Sequence, residues 1–112
     1  MNTNFTRTIA AAVLIAAASL STFAEIRIRF AKGRTSATVA GRVAEGGRIC
    51  YVAGARRGQL LTATVSSNTG RVSIFESGET AYSYDIEVSG DQSVCVDNLG
   101  RAATYRLTVS IR

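Results

Sequence analysis

Apolar and polar residues alternate with a period of two along most of this chain. In residues 82–88, for example, two tyrosines, an isoleucine and a valine alternate with serine, aspartate and glutamate. Because successive side chains of a β-strand point to opposite faces of a sheet, this pattern predicts strands with one buried and one solvated face. The segments that carry such a pattern, or a short apolar run, are 26–30, 37–43, 49–53, 60–66, 72–76, 82–88, 94–96 and 105–111.

Short glycine-containing turns separate these segments, and no segment after residue 24 has the period of a helix. The turns are 45–48, 54–59, 67–70, 77–80, 89–92 and 98–101. About eight short strands at regular spacing predict an all-β fold, a small antiparallel sandwich or barrel. Since the sequence contains no proline, its edge strands need charges to prevent unwanted pairing, and Arg27, Arg29 and Arg112 are candidates for that role.

Residues 1–24 have the layout of a secretory signal peptide. Arg7 lies in a short polar start, an apolar run follows over 9–20, and small residues precede a plausible cut after Ala24. The run is shorter than the roughly 20 apolar residues that span a bilayer, so cleavage is favoured over a retained anchor. We therefore expect a cleavable signal peptide followed by a single mature domain, 25–112, that is periplasmic or secreted and not inserted in a membrane.

The two cysteines of the chain, Cys50 and Cys95, both lie in the expected mature domain. In an oxidising compartment such a pair predicts a disulfide, which would stabilise a small domain by about 4 kcal/mol. Each cysteine is out of phase with the neighbours that face the core, so the bridge is predicted on an outer face or a rim. A reactive thiol or a metal site is the weaker alternative, because the chain has no histidine to serve as base or ligand.

Few residues of this sequence are suited to catalysis. Without histidine, His-based triads and the usual zinc hydrolase sites are excluded. Asp85 and Glu87 share a predicted face, but it is the solvated one, where nothing tunes a carboxylate for proton transfer. The tyrosines fall on predicted buried faces and fit core packing better than ligand stacking; they are Tyr51, Tyr82, Tyr84 and Tyr105. We expect a protein that is not an enzyme and has no cofactor or metal ion.

The chain is basic, with a formal net charge of +5, but its basic residues are spread along the sequence. A nucleic-acid surface is typically a clustered basic stripe with stacking aromatic residues, and neither feature is present. The charge indicates no nucleic-acid partner. It fits either an acidic protein partner or a solvated surface that keeps a small domain soluble.

Three motifs in the expected mature domain point to a known family. They are Phe30-x-Lys32-Gly33-x-x-Ser36-Ala37-x-x-x-Gly41, Tyr51-x-x-x-Ala55-x-x-Gly58-Gln59 and Tyr105-x-Leu107-x-Val109-x-Ile111. On these motifs the chain resembles the periplasmic inhibitors of goose-type (g-type) lysozyme, relatives of the bacterial pre-peptidase C-terminal β-sandwich domains. The resemblance implies an eight-stranded sandwich that inhibits a lysozyme by inserting loops into its substrate cleft.

Carried over by position, the resemblance assigns partner binding to two turns, 45–48 and 98–101. It implies that Arg48 and Arg101 contact the partner, and that Asn98 and Glu45 shape the loops. Arginines that reach a carboxylate in a desolvated cleft contribute strongly to an interface. Because both turns are shorter or less aromatic here than in the family, an alternative stays open: a non-catalytic sandwich of the envelope that binds a surface polymer or another envelope protein.

Overall fold

A computed structural model describes residues 25–75 and 77–112 of the chain. Within these residues eight strands form two four-stranded sheets, and no helix is long and apolar enough to cross a membrane. The predicted signal peptide, 1–24, lies outside the described residues, as does Glu76 at the end of one predicted strand. The predicted all-β sandwich of about eight strands is confirmed.

The strands, in chain order, are β1 (Ile26–Arg27), β2 (Ser36–Val43), β3 (Arg48–Ala55), β4 (Leu60–Ser67), β5 (Val72–Ile74), β6 (Ala81–Asp85), β7 (Gly90–Asn98) and β8 (Ala103–Ile111). The first sheet has the order β1-β3-β7-β5 and the second sheet the order β2-β8-β4-β6. Apolar side chains on the inner faces of both sheets join in one core. Leu107 and Val109 of β8, a central strand, have no exposed surface.

Antiparallel pairing is confirmed for every pair of neighbouring strands except one. β1 runs parallel to β3, with Ile26 opposite Tyr51. The physical reason is connectivity: the chain leaves β1, runs back through β2 in the other sheet, and enters β3 in its original direction. Parallel neighbours always require such a crossover, since a tight hairpin can only join antiparallel strands.

The predicted strand 82–88 differs from the structure in length and burial. β6 ends at Asp85, so Val88 lies beyond it and is 76% exposed, whereas Ile86 is buried. Tyr84 does point inward but is 38% exposed, because β6 is an edge strand whose inner face is covered incompletely. The predicted turn 89–92 is also partly wrong, since β7 already begins at Gly90.

Cys50 and Cys95 form the predicted disulfide. They are directly opposite each other in the β3–β7 pair, between the inward-facing neighbours Tyr51 and Val94. Since side chains alternate along a strand, the bridge lies on the outer face of the first sheet, as predicted. It therefore joins two central strands without occupying space in the core.

Two tyrosines connect the sheets through the core. The hydroxyl of Tyr105, in β8, lies 2.5 Å from the hydroxyl of Tyr51, in β3. Both side chains are buried, at 3% exposure each. Gly41 makes room for this pair, because a Cβ atom at that position would lie 2.6 Å from the Tyr105 oxygen. The glycine of the Phe30-to-Gly41 motif thus permits a close approach of strand and ring.

Burial and the hydrogen bond with Tyr51 raise the pKa of Tyr105 above its ordinary value of 10.0. The unfolded chain therefore releases this proton at lower pH than the folded protein does. Above about pH 10 the folded state holds more protons, so the free energy of unfolding must fall as pH rises toward the raised pKa.

We expect Tyr105→Phe to flatten this alkaline loss of stability, because the variant has no phenol to ionise at that position. The measurement is urea unfolding at a series of pH values from about 9 upward. Tyr84→Phe, the same chemical change on an edge strand, is the control. A slope identical in wild type and Tyr105→Phe would contradict the assignment.

Candidate functional site

Three turns meet at one end of the sandwich, called here the loop end: 44–47 between β2 and β3, 68–71 between β4 and β5, and 99–102 between β7 and β8. Backbone hydrogen bonds connect them. The amide of Asn98 donates to the carbonyl of Gly47 at 3.0 Å, and the amide of Leu99 donates to that of Arg71 at 2.9 Å. The strand order of both sheets thus brings turns that are far apart in sequence into contact.

Asn98 is the residue that holds the loop end together. It is the last residue of β7 and only 3% exposed. Its side-chain Nδ2 lies 3.2 Å from the carbonyl of Val43, 3.1 Å from that of Ala44 and 2.7 Å from that of Arg101. Its Oδ1 accepts a hydrogen bond from the amide of Gly100 at 2.9 Å. Because it is buried, Asn98 positions the two turns and is not itself presented to a partner.

We expect Asn98→Ala to lower the free energy of unfolding by about 2 kcal/mol, because several buried backbone groups would lose their partner. Chemical denaturation measures this loss. Asn68→Ala is a matched control, since Asn68 is exposed and its Oδ1 accepts one bond, from Thr104. Equal losses in the two variants would contradict the bracing role of Asn98.

Arg71 is a residue of the loop end that sequence reasoning did not select. Its side chain packs beneath Gly100, where an added Cβ would meet Arg71 Cβ at 3.0 Å, and its Nη2 donates to the carbonyl of Leu99 at 3.4 Å. A signal for it exists in the sequence: Asn-x-Gly-Arg occurs at both 68–71 and 98–101. The structure places these two repeats side by side.

Arg48, at the start of β3, is already engaged with Asp97. Its Nε donates to Asp97 Oδ1 at 2.6 Å and its Nη2 to Oδ2 at 3.2 Å. The Asp97 side chain is 7% exposed and that of Arg48 47%. A nearly buried carboxylate needs such a partner, so Arg48 has a structural task in addition to any contact that its exposed half makes.

The loop end is basic and exposed. Arg42 and Arg48 flank turn 44–47, and Arg71 and Arg101 belong to the other two turns. The opposing carboxylates are those of Glu45, which is exposed, and Asp97, which Arg48 neutralises. The Arg101 side chain is exposed and has no hydrogen bond or ion pair with the described part of the chain, while its backbone is held by Asn98. The exposed guanidinium groups are therefore carried by turns whose backbone is held in place by hydrogen bonds.

A shallow depression lies beside the loop end, on the second sheet. It is lined by small and hydroxyl-bearing residues of β2, β4 and β8 together with Asn68, and Arg106 is its one charged lining residue. Among residues 25–75 and 77–112, no group of three acidic or cysteine side chains is placed to hold a metal ion. The guanidinium groups of the loop end donate hydrogen bonds to carboxylate and carbonyl oxygens, so this end of the sandwich suits an anionic or carbonyl-rich surface.

Comparison with known proteins identifies related folds. No protein-family model matches the sequence, and no curated protein matches it. Among solved structures, the chain is similar to PliG of Aeromonas hydrophila, a periplasmic inhibitor of g-type lysozyme, with a TM-score of 0.65, 21% identity, and coverage of 79% of this chain and 96% of that one. It is also similar to PliG of Salmonella Typhimurium, another periplasmic inhibitor of g-type lysozyme, with a TM-score of 0.63, 21% identity, and coverage of 79% of this chain and 97% of that one.

A mutant of the Escherichia coli PliG is similar to the same degree, with a TM-score of 0.62, 19% identity, and coverage of 79% and 97%. At such identities the likeness establishes a shared fold. The resemblance to these inhibitors, noted in the sequence, is thus confirmed at the level of the sandwich. The relation to pre-peptidase C-terminal domains stays a prediction.

Proposed function

We propose that this protein is an exported, non-catalytic inhibitor of a g-type lysozyme that acts by inserting the loop end into the enzyme's substrate cleft. The observation that carries the proposal is the set of exposed arginines on turns that hydrogen bonds hold together at the loop end, in a fold shared with three solved lysozyme inhibitors. The periplasmic location of those proteins, together with the predicted signal peptide, supports the periplasm as the place of action.

The charge of the loop end suits the proposed target. Most glycoside hydrolases act through carboxylates that flank the scissile bond. A guanidinium binds a carboxylate through two parallel hydrogen bonds, and the bond strengthens when the cleft closes around it and excludes water. Arg101 and Arg71 are the side chains that we assign to this contact, because both are exposed on turns at the tip of the sandwich.

Bracing of the turns contributes to affinity as well. A loop that is ordered before binding does not lose conformational entropy when the complex forms. Asn98 supplies this order by linking turns 44–47 and 99–102, and the Arg48–Asp97 ion pair holds the adjacent ends of β3 and β7. We assign Arg48 a peripheral contact through its exposed half, and Glu45 a place at the rim, where its charge does not oppose a cleft carboxylate.

The test is an inhibition assay with the purified protein and a g-type lysozyme that hydrolyses peptidoglycan. We expect the rate to fall in proportion to the added protein and to reach near-complete inhibition at about 10 µM. A chicken-type lysozyme serves as a specificity control. Undiminished g-type activity at that concentration would refute the proposal.

A second candidate function is binding of an envelope polymer without inhibition. The shortness of the turns favours it, because 44–47 is four residues long and contains only alanine, glutamate and two glycines. Co-sedimentation with purified peptidoglycan sacculi distinguishes the two candidates. Binding to sacculi without lysozyme inhibition would support the second, and inhibition without sacculus binding the first.

A further inference from the structure

The four edge strands of the two sheets differ greatly in length. β1, β5 and β6 have 2, 3 and 5 residues, whereas β2 has 8. Short edge strands protect a sheet against pairing with other molecules, because they offer few unpaired backbone groups. The outer edge of β2 is therefore the place where this fold offers a template for another strand.

The hydrogen-bond pattern shows which backbone groups of β2 face outward. The amide of Ile111 donates to the carbonyl of Thr35 at 2.8 Å, and β2 pairs with β8 in continuous antiparallel register. Backbone groups that face the neighbouring strand alternate with groups that face the open edge, so those of Ala37, Val39 and Gly41 bond to β8. The backbone groups that face the open edge belong to Ser36, Thr38, Ala40 and Arg42. Within residues 25–75 and 77–112, no other strand pairs with them.

The edge of β2 also lacks the usual devices against pairing. It has no proline, and from Ser36 to Gly41 it has no charged residue. The candidates for this role in the sequence lie elsewhere: Arg27 is on β1, paired with Asp91, Arg29 lies just after β1, and Arg112 follows the central strand β8. Arg112 therefore does not guard an edge, and the long edge has only Arg42 near its end.

We propose that two copies of this chain pair through their β2 edges, antiparallel about a two-fold axis, so that their second sheets join into one continuous eight-stranded sheet. The occupant is a second copy because β2 is self-complementary when two strands pair about Val39. With Thr38 opposite Ala40 of the other copy, Ser36 faces Arg42 and no two arginines oppose each other. A register centred on Arg42 would bring like charges together, which is unfavourable.

Apolar contact favours the same register. It places Val39 opposite Val39 of the other copy, in a position without direct hydrogen bonds, where the side chains of an antiparallel pair come closest. Val39 lies on the inner face at the rim of the core and is only half-buried in the single chain. Pairing covers it. The buried surface of one strand edge is small compared with the roughly 1,200 Å² of stable interfaces, so the dimer forms at high concentration.

The dimer is independent of the proposed inhibition. Antiparallel β2 strands place the two loop ends at opposite extremities of the joined sheet, so both stay accessible. Failure of lysozyme inhibition would leave the dimer untouched, and the reverse holds as well.

Sedimentation velocity tests the dimer at protein concentrations from about 5 µM to about 1 mM. The sample is the exported form of the protein, purified after any processing in the cell. We expect the weight-average mass to rise toward twice that of the monomer. Thr38→Lys combined with Ala40→Lys places two charges on the edge and should keep the protein monomeric. Thr64→Lys combined with Ser66→Lys is the control, because it adds the same charges to exposed positions of the central strand β4. This variant should dimerise like the wild type.

Amide hydrogen exchange of the wild type gives a second readout that needs no variant. The amides of Thr38 and Ala40 should exchange several-fold more slowly at high than at low concentration, while those of Val39 and Gly41 are protected at both. The proposal is overturned if the protein stays monomeric throughout, if both lysine variants dimerise equally or fail equally, or if exchange at Thr38 and Ala40 does not depend on concentration.

Discussion

Cys50→Ala combined with Cys95→Ala is expected to lower the free energy of unfolding by about 4 kcal/mol. The cysteines are 45 residues apart in sequence, so the disulfide closes a long loop in the unfolded chain and lowers the conformational entropy of that chain. Small domains have only about 5–15 kcal/mol of stability in total. The variant should therefore lose a large share of its stability and unfold at a lower denaturant concentration.

Guanidinium unfolding of the variant and of the wild type, at 25 °C, measures this loss. Reduced wild type is the control, because it keeps both cysteines but loses the crosslink and should be destabilised to the same extent. A loss below about 1 kcal/mol in both proteins would contradict the stabilising role. A large loss in the variant alone would assign the effect to the side chains and not to the covalent bond.

Arg71→Ala combined with Arg101→Ala is expected to weaken lysozyme inhibition by about 100- to 1,000-fold. Each arginine is assigned a desolvated contact with a carboxylate of the cleft, and such contacts contribute about 2 kcal/mol or more when removed singly. Because the Arg71 stem also supports Gly100, the folding of the variant must be verified by circular dichroism. The inhibition constant against g-type lysozyme is the measurement.

Arg56→Ala combined with Arg57→Ala is the matched control for this prediction. These arginines lie in the turn between β3 and β4, at the opposite end of the sandwich, and their removal changes the net charge equally. We expect inhibition to weaken less than about threefold, through reduced electrostatic attraction alone. Equal weakening in both double variants would show that total charge, and not the loop end, determines binding.

Much of the fold follows from local pattern. Leu107, Val109 and Ile111 alternate with polar residues, and the structure buries all three on one face of β8. Prediction failed where burial depends on a neighbour. Val88 continues the alternation of β6, yet the pairing of β6 with β4 ends at Asp85, and Val88 stays exposed.

The candidate site was predictable in part. The turns 45–48 and 98–101 were selected through family resemblance, and both lie at the loop end. Arg71 was missed although 68–71 repeats the Asn-x-Gly-Arg of 98–101, because a turn sequence does not reveal which other turns it will contact. The engagement of Arg48 with Asp97 was missed for the same reason, since the two residues are 49 positions apart.

The sequence by itself determined the positions of most strands, the faces that most of them bury, and the disulfide. These depend on alternation between adjacent residues and on there being two cysteines to pair. Tertiary structure alone decided the parallel β1–β3 pair, the exposed edge of β2 and the meeting of three turns at the loop end. The reason is that one alternating strand can hydrogen-bond to almost any other, so the choice of neighbour is made by the packing of the whole sandwich.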